Sequence, residues 1–322
     1  MKRIVLALCL VWLPGPAGER LRFEASRDAM GGTFAVVVYG EDRTKIEGAA
    51  ALALEEVARL DQLLSNYKPS SEWSMVNREA PEKPVHVSDE LFALLSKCTE
   101  YGQASEGTFD ITVGPLMKVW GFYKGSGKLP HRGEIRAALT RIGYQNVILD
   151  PQAKTVRFAK SGVEIDPGGI GKGYAVDRMV GVLRAQGIAS GFISAAGSSI
   201  YGMGTPPSEP RGWRVNIRNP RSPSVTIEEV FLKDQSLSTS GSQEKFFEAE
   251  GKIFSHIMDP HTGYPAQGRL QVSVLAPSTT DSEAWTKPIF VQGRQWAAQH
   301  KPKQLRAYIC EDRQDISCAW LQ

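Results

Sequence analysis

Residues 165–174 read Ile-Asp-Pro-Gly-Gly-Ile-Gly-Lys-Gly-Tyr, with four glycines crowded where an extended run ends and a helical one begins. The segment demands a strand, closing at Asp166, that turns almost directly into a helix opening near Lys172. Glycines let another group approach the backbone closely. A helix N-terminus adds free N–H groups and the positive end of the helix dipole. Phosphate or pyrophosphate is the natural guest of such a turn. The spacing is neither that of a P-loop nor that of a dinucleotide fingerprint, and a tight strand-to-helix turn without a ligand satisfies the same residues.

Periodicity carries this mixture of helix and strand along the chain. Ile46, Ala50, Ala53, Val57, Leu60 and Leu64 recur in steps of three and four, which predicts an amphipathic helix ending near Ser65, after a strand over 35–39. A polar stretch, 66–84, follows. Leu91, Leu94, Leu95 and Cys98 form the apolar stripe of a second helix with Ser88 as its N-cap. A third helix covers 172–185 and is closed by Gly187. Residues 146–150 and 155–158 read as a hairpin around Asp150-Pro151. From Phe192 onward short strands dominate, over 192–195, 213–217, 225–232, 253–257 and 271–275, before a helix returns over 283–290. The expected class is α+β: one two-lobed domain over 19–322, with mixed, largely antiparallel sheets and flanking helices.

The 322 residues can enclose a large core. A net charge of +3 spread over the chain leaves no nucleic-acid footprint, and Lys301-Pro302-Lys303 reads as a solvated turn. Lys2 and Arg3 precede an apolar run over 4–13 and then small residues. This predicts an export signal over 1–18, cleaved near Ala17 or Gly18, and hence a location in the periplasm or cell envelope. The run is too short to span a bilayer, and Leu8 before Cys9 is too large for a lipid-anchor site. Of the remaining cysteines, Cys98 reads as core. Cys310 and Cys318 flank a polar turn and could form a cross-strand disulfide in an oxidising compartment.

Four more segments could carry chemistry. In 107–115, Asp110 and Thr112 share a face if the run is extended. Residues 195–199 put small side chains at a strand end. Residues 256–265 hold Asp-Pro and Thr-Gly in one loop, which keeps its shape with little burial. In 280–287, Glu283 shares a helical face with Thr286 or Lys287. Glutamate and threonine oxygens suit a hard cation such as Mg²⁺, yet Glu283 and Lys287 equally make an ordinary i, i+4 ion pair. A serine nucleophile in Ser238-Thr239-Ser240-Gly241 lacks the Gly-x-Ser-x-Gly elbow.

In this order, Met30-Gly31-Gly32-Thr33-Phe34, Leu64-Ser65-Asn66-Tyr67, 107–115 with Trp120-Gly121-Phe122, 165–174, Ser238-Thr239-Ser240-Gly241, 256–265 and 283–293 resemble the ApbE family of FAD:protein FMN transferases. The resemblance implies an enzyme that uses FAD with Mg²⁺ to move FMN onto a Thr or Ser hydroxyl of an exported or membrane-bound electron-transport protein, releasing AMP. A membrane would enter only through that acceptor. It implies that Met30, Tyr67, Thr108, Phe109, Asp110, Asp166, Lys172 and Ile257 contact FAD. The Gly169 carbonyl, Glu283, Thr286 and Lys287 fall at metal-ligand positions, and Glu283, Thr286 and Lys172 would carry the charge neutralisation that phosphoryl transfer asks for. His256 is a conceivable base whose alternating position also fits a structural role. The family usually has Asp where this chain has Glu283, often Thr where it has Lys287, and Gly-Gly-Asp where it has Gly197-Ser198-Ser199. The alternatives are a FAD pyrophosphatase and an exported FAD-binding protein without catalysis.

Overall fold

The computed structural model describes residues 20–125 and 127–321. The expected export signal and Cys9 lie outside them. Among the described residues no helix is long and apolar enough to cross a membrane.

Eight strands form the main sheet, and their spatial order follows the chain: Leu21–Ala29, Gly32–Gly40, Ser190–Ala195, Ser199–Met203, Gln235–Gly241, Arg269–Ala276, Arg306–Glu311 and Ser317–Trp320. Every strand pair among the described residues is antiparallel. The class is thus the expected α+β with antiparallel sheets and flanking helices.

Alternation gives the sheet two different faces. Phe34, Val36, Val38, Val272, Val274 and Ala276 enter the large core, which is closed by helices Arg43–Leu64, Gly171–Ala185 and Thr279–Gln292. Leu60 and Leu64 of the first helix are fully buried there, each contributing about 2 kcal/mol. Leu237, Leu275 and Tyr308 point the other way, into a smaller cluster beneath the hairpin Trp213–Asn219 and Ser222–Leu232.

Most expected elements stand. The long helix starts at Arg43, where the Asp42 side chain accepts from the Lys45 amide at 3.1 Å. Ser88 caps helix Asp89–Ala104. Val147–Asp150 pairs with Thr155–Phe158 as the predicted hairpin. Cys98 is buried, and Cys310 and Cys318 face each other on neighbouring strands, joined as a disulfide.

Three segments differ from expectation for traceable reasons. The polar stretch 66–84 contains helix Glu72–Glu79, whose Trp73 and Asn77 both donate to the Ile165 carbonyl. Asp110 and Thr112 are not on an extended strand. Asp110 caps a 3-10 turn, Ile111–Val113, and accepts from both the amide (2.7 Å) and the hydroxyl (2.6 Å) of Thr112. The helix expected from Glu283 starts at Thr279, because Ser278 caps it by accepting from the Asp281 amide at 3.1 Å and the Asp177 carboxylate accepts from the amides of Thr279 and Thr280.

Candidate functional site

Two hairpin turns mark one end of the main sheet. Met30 and Gly31 both have positive φ, as a two-residue turn requires, and so do Ala196 and Gly197. Asp61 of the long helix accepts from the Met30 amide at 3.1 Å and fixes the first turn. Between these turns, the end of that helix and the hairpin at 213–232 lies a cavity of about 1310 Å³.

Four of the expected flavin contacts, Met30, Tyr67, Asp166 and Lys172, line this cavity. The glycine turn forms one wall. Asp166 accepts from the Gly168 amide at 2.7 Å, closing the 3-10 turn Pro167–Gly169, and helix Gly171–Ala185 follows at once. The other Asp166 oxygen accepts from Asn66 at 3.0 Å and Tyr123 at 2.5 Å. Burial raises the Asp166 carboxyl above its ordinary value, against those hydrogen bonds. The Lys172 ammonium donates to the Ser198 hydroxyl at 2.6 Å.

Thr108, Phe109, Asp110, Gly169, Ile257, Glu283, Thr286 and Lys287 are not on the cavity surface. Several of them meet behind its wall. A Cβ on Gly169 would lie 3.4 Å from the Phe109 ring and 3.7 Å from Cε of Lys287. One Glu283 oxygen accepts from the Gly173 amide. The other lies 3.9 Å from the Lys287 ammonium, which also donates to the Glu283 carbonyl at 3.2 Å. Thr286 donates to that same carbonyl at 2.7 Å and shares a hydrogen bond with Ser240 at 2.8 Å. Burial pulls Lys287 below the usual lysine value; Glu283 opposes this, and Lys172 adds to it. Among the described residues, no three His, Cys, Asp or Glu side chains gather as a metal would need. Thr108 accepts from Gln292 at 2.9 Å, and Ile257 belongs to the large core.

The loop at 256–265 has the rigidity its composition suggests. Asp259 accepts from the His261 amide and the Thr262 hydroxyl, both at 2.9 Å, and Trp120 donates to the Gly263 carbonyl at 2.8 Å. His256 is the one residue of the loop on the cavity wall. Its Nδ1 lies 3.2 Å from the Lys245 carbonyl, which can only accept, so Nδ1 carries the proton. Burial lowers the ring to about 4, leaving it neutral with Nε2 free of a proton near pH 7. In the Ser238-Thr239-Ser240-Gly241 segment the two serine hydroxyls are buried away from the cavity, Ser238 against Ser282 at 2.7 Å and Ser240 against Thr286 at 2.8 Å.

A model described as the ApbE family matches residues 30–309. The chain belongs to the ApbE family. It is 32% identical over 314 residues to a FAD:protein FMN transferase of Treponema pallidum (strain Nichols), covering 90% of this chain and 85% of that one. A protein of the same name from Klebsiella pneumoniae (strain 342) is 31% identical over 268 residues, with 82% and 80% covered. The crystal structure of the ApbE protein from Thermotoga maritima superposes with a TM-score of 0.85 at 29% identity, covering 93% of this chain and 97% of that one. The apo flavinyl transferase ApbE of Pseudomonas stutzeri shares the fold, with a TM-score of 0.83 at 24% identity over 94% and 95% of the two chains.

Within this ApbE domain, sequence reasoning missed several cavity residues. Asn66 stood in a quoted motif without a role. Its Oδ1 is buried, lacks a partner, and belongs to a residue of the cavity wall. Tyr123 directly follows Trp120-Gly121-Phe122, which was a usable signal. Val215, Asn216 and Arg218 gave none, because only the fold brings their hairpin to the cavity.

Proposed function

We propose that this chain is a FAD:protein FMN transferase that moves FMN from FAD to a Thr or Ser hydroxyl of an exported or membrane-bound electron-transport protein. The carrying observation is the cavity itself, with the glycine turn and Lys172 on its wall, in a chain of this family. Its volume exceeds the roughly 300–1,000 Å³ of ordinary small-molecule pockets, which suits a dinucleotide. Met30, Tyr67 and Asp166 would shape the flavin's surroundings, and the unpartnered Asn66 oxygen offers an acceptor to a ligand N–H or O–H.

In the proposed reaction the acceptor oxygen attacks the FMN-side phosphorus as the bond to the bridging oxygen breaks, and AMP leaves with that oxygen. The hydroxyl proton passes to Nε2 of His256. The Lys172 ammonium offsets charge on the pyrophosphate. Residues 1–18 are read as the export signal that brings domain 19–322 to its acceptor outside the cytoplasm.

The magnesium ion expected at Gly169, Glu283, Thr286 and Lys287 does not fit the donor set. Both Glu283 oxygens already face donors, and Lys287 brings a positive charge to the place of the cation. A divalent ion about 4 Å from an ammonium meets a repulsion of about 8 kcal/mol at an effective dielectric of about 20, before its neighbours offset it. No step is therefore routed through a metal.

The test incubates the mature protein with FAD, with and without Mg²⁺, and follows AMP by chromatography. An acceptor domain with a Thr/Ser flavinylation motif is scored in parallel by in-gel flavin fluorescence. AMP release together with a fluorescent acceptor band is expected, and Lys172→Ala should lower transfer by about 10²-fold. AMP without labelling of any acceptor would point to a FAD pyrophosphatase. Tight FAD binding with neither product would point to a non-catalytic flavoprotein.

A further inference from the structure

The Lys287 side chain lies beside both groups that would be expected to hold a divalent cation, its ammonium at Glu283 and its stem at Gly169. Its Nζ lies 3.9 Å from a Glu283 carboxylate oxygen and 3.2 Å from the Glu283 carbonyl, while its Cε lies against Gly169. The side chain comes from the turn of helix directly after Glu283, so the i, i+4 spacing holds the charge beside that carboxylate. Neighbouring groups complete the substitution. The remaining Glu283 oxygen is held by the Gly173 amide, and Ser198 receives the Lys172 ammonium rather than presenting a carboxylate. Lys172 on the cavity wall and Lys287 just behind it thus stand with the Glu283 and Glu244 carboxylates, two charges of each sign, where the pyrophosphate of a flavin dinucleotide would approach.

We infer that Lys287 takes the place of the divalent cation in this chain, so that FAD is bound by a tethered ammonium and without Mg²⁺. This inference rests on the flavin reading above. The geometry favours it because an ammonium fixed in the protein needs neither a third carboxylate nor an open coordination sphere.

The test has two readouts that do not depend on turnover. Mg²⁺ alone is titrated into the flavin-free protein by calorimetry and thermal shift, and FAD affinity is then measured by fluorescence quenching in EDTA and in millimolar Mg²⁺. The wild type should give no metal-binding heat, no thermal shift and equal FAD affinity in both buffers. Lys287→Thr, which restores an oxygen donor, should lose about tenfold in FAD affinity in EDTA, recover it with Mg²⁺, and gain a metal-binding heat. Lys287→Met keeps the stem without charge or oxygen donor, so its FAD affinity should fall alike in both buffers. The wild-type comparison stands whether or not either variant folds. Wild-type FAD affinity rising about tenfold with Mg²⁺, a metal-binding heat in the wild type, or undiminished affinity of a folded Lys287→Thr protein in EDTA would each overturn the inference. Absence of FAD binding in either buffer would overturn the flavin reading and this inference with it, whereas Mg²⁺-strengthened binding sinks the inference alone.

Discussion

Asp110 is an acid held away from water, and burial pushes its carboxyl up to about 6 while Thr112 hydrogen-bonds it. The folded state therefore keeps a proton that the unfolded chain releases near the ordinary aspartate value of 3.8. Stability contributed by this group is present below that value and is lost as pH rises to about 6. Asp110→Asn should then stabilise the fold by up to about 3 kcal/mol near neutral pH and by almost nothing near pH 4. Urea melts at the two pH values would decide it; an equal gain at both would show that the charge is not responsible. At this scale the sequence was legible where the backbone is unusual. Asp166 and Lys172 belong to a glycine turn singled out for that reason, whereas Met30 and Tyr67 came only through the family resemblance. Asn66 and Tyr123 were not given roles, because their meaning lies in an Asp166 carboxylate far along the chain.

Two helices, Gly171–Ala185 and Thr279–Gln292, meet at Gly173, where an added Cβ would fall 2.8 Å from the Glu283 carboxylate and closer still to the Thr279 carbonyl. Backbone on one side leaves no room for a side chain to yield. Gly173→Ala should destabilise the protein by about 1–3 kcal/mol, read as a lower urea midpoint, and should displace Glu283. A wild-type midpoint would mean that the helices part without strain. Element type was readable from period for the long helix at Arg43–Leu64, and from the Asp150-Pro151 turn signal for the hairpin of Val147–Asp150 with Thr155–Phe158. The true start at Thr279 did have a local signal, the Ser278 N-cap, which was passed over; Asp177 reinforces it from 102 residues away. The extended reading of Asp110 and Thr112 failed for a nearer cause: an aspartate two residues before a threonine amide can close a turn as well as alternate along a strand.

For the molecule as a whole, the antiparallel class could be read from short strand runs and turn signals, but the cavity could not, because its walls come from segments brought together only by sheet order. The edge farthest along that order is tied by Cys310–Cys318, across eight residues of sequence. Reduction should lower stability by about 2–3 kcal/mol through the entropy returned to the unfolded chain. FAD affinity should be unchanged, because neither of the last two strands borders the cavity. A large loss of FAD binding on reduction would show that the edge and the cavity are coupled. On the core face of the sheet, Ser236, Ser238 and Ser240 pair with Ser282 and Thr286 through hydroxyls where aliphatic side chains would ordinarily pack. Greasy contacts let a helix creep along its axis, but these pairs work as indexing pins that engage at one setting. The empty protein and the loaded one should therefore share one alignment of Glu283, and a flavin arriving at the chamber finds it already shaped, with little ordering left to oppose its capture.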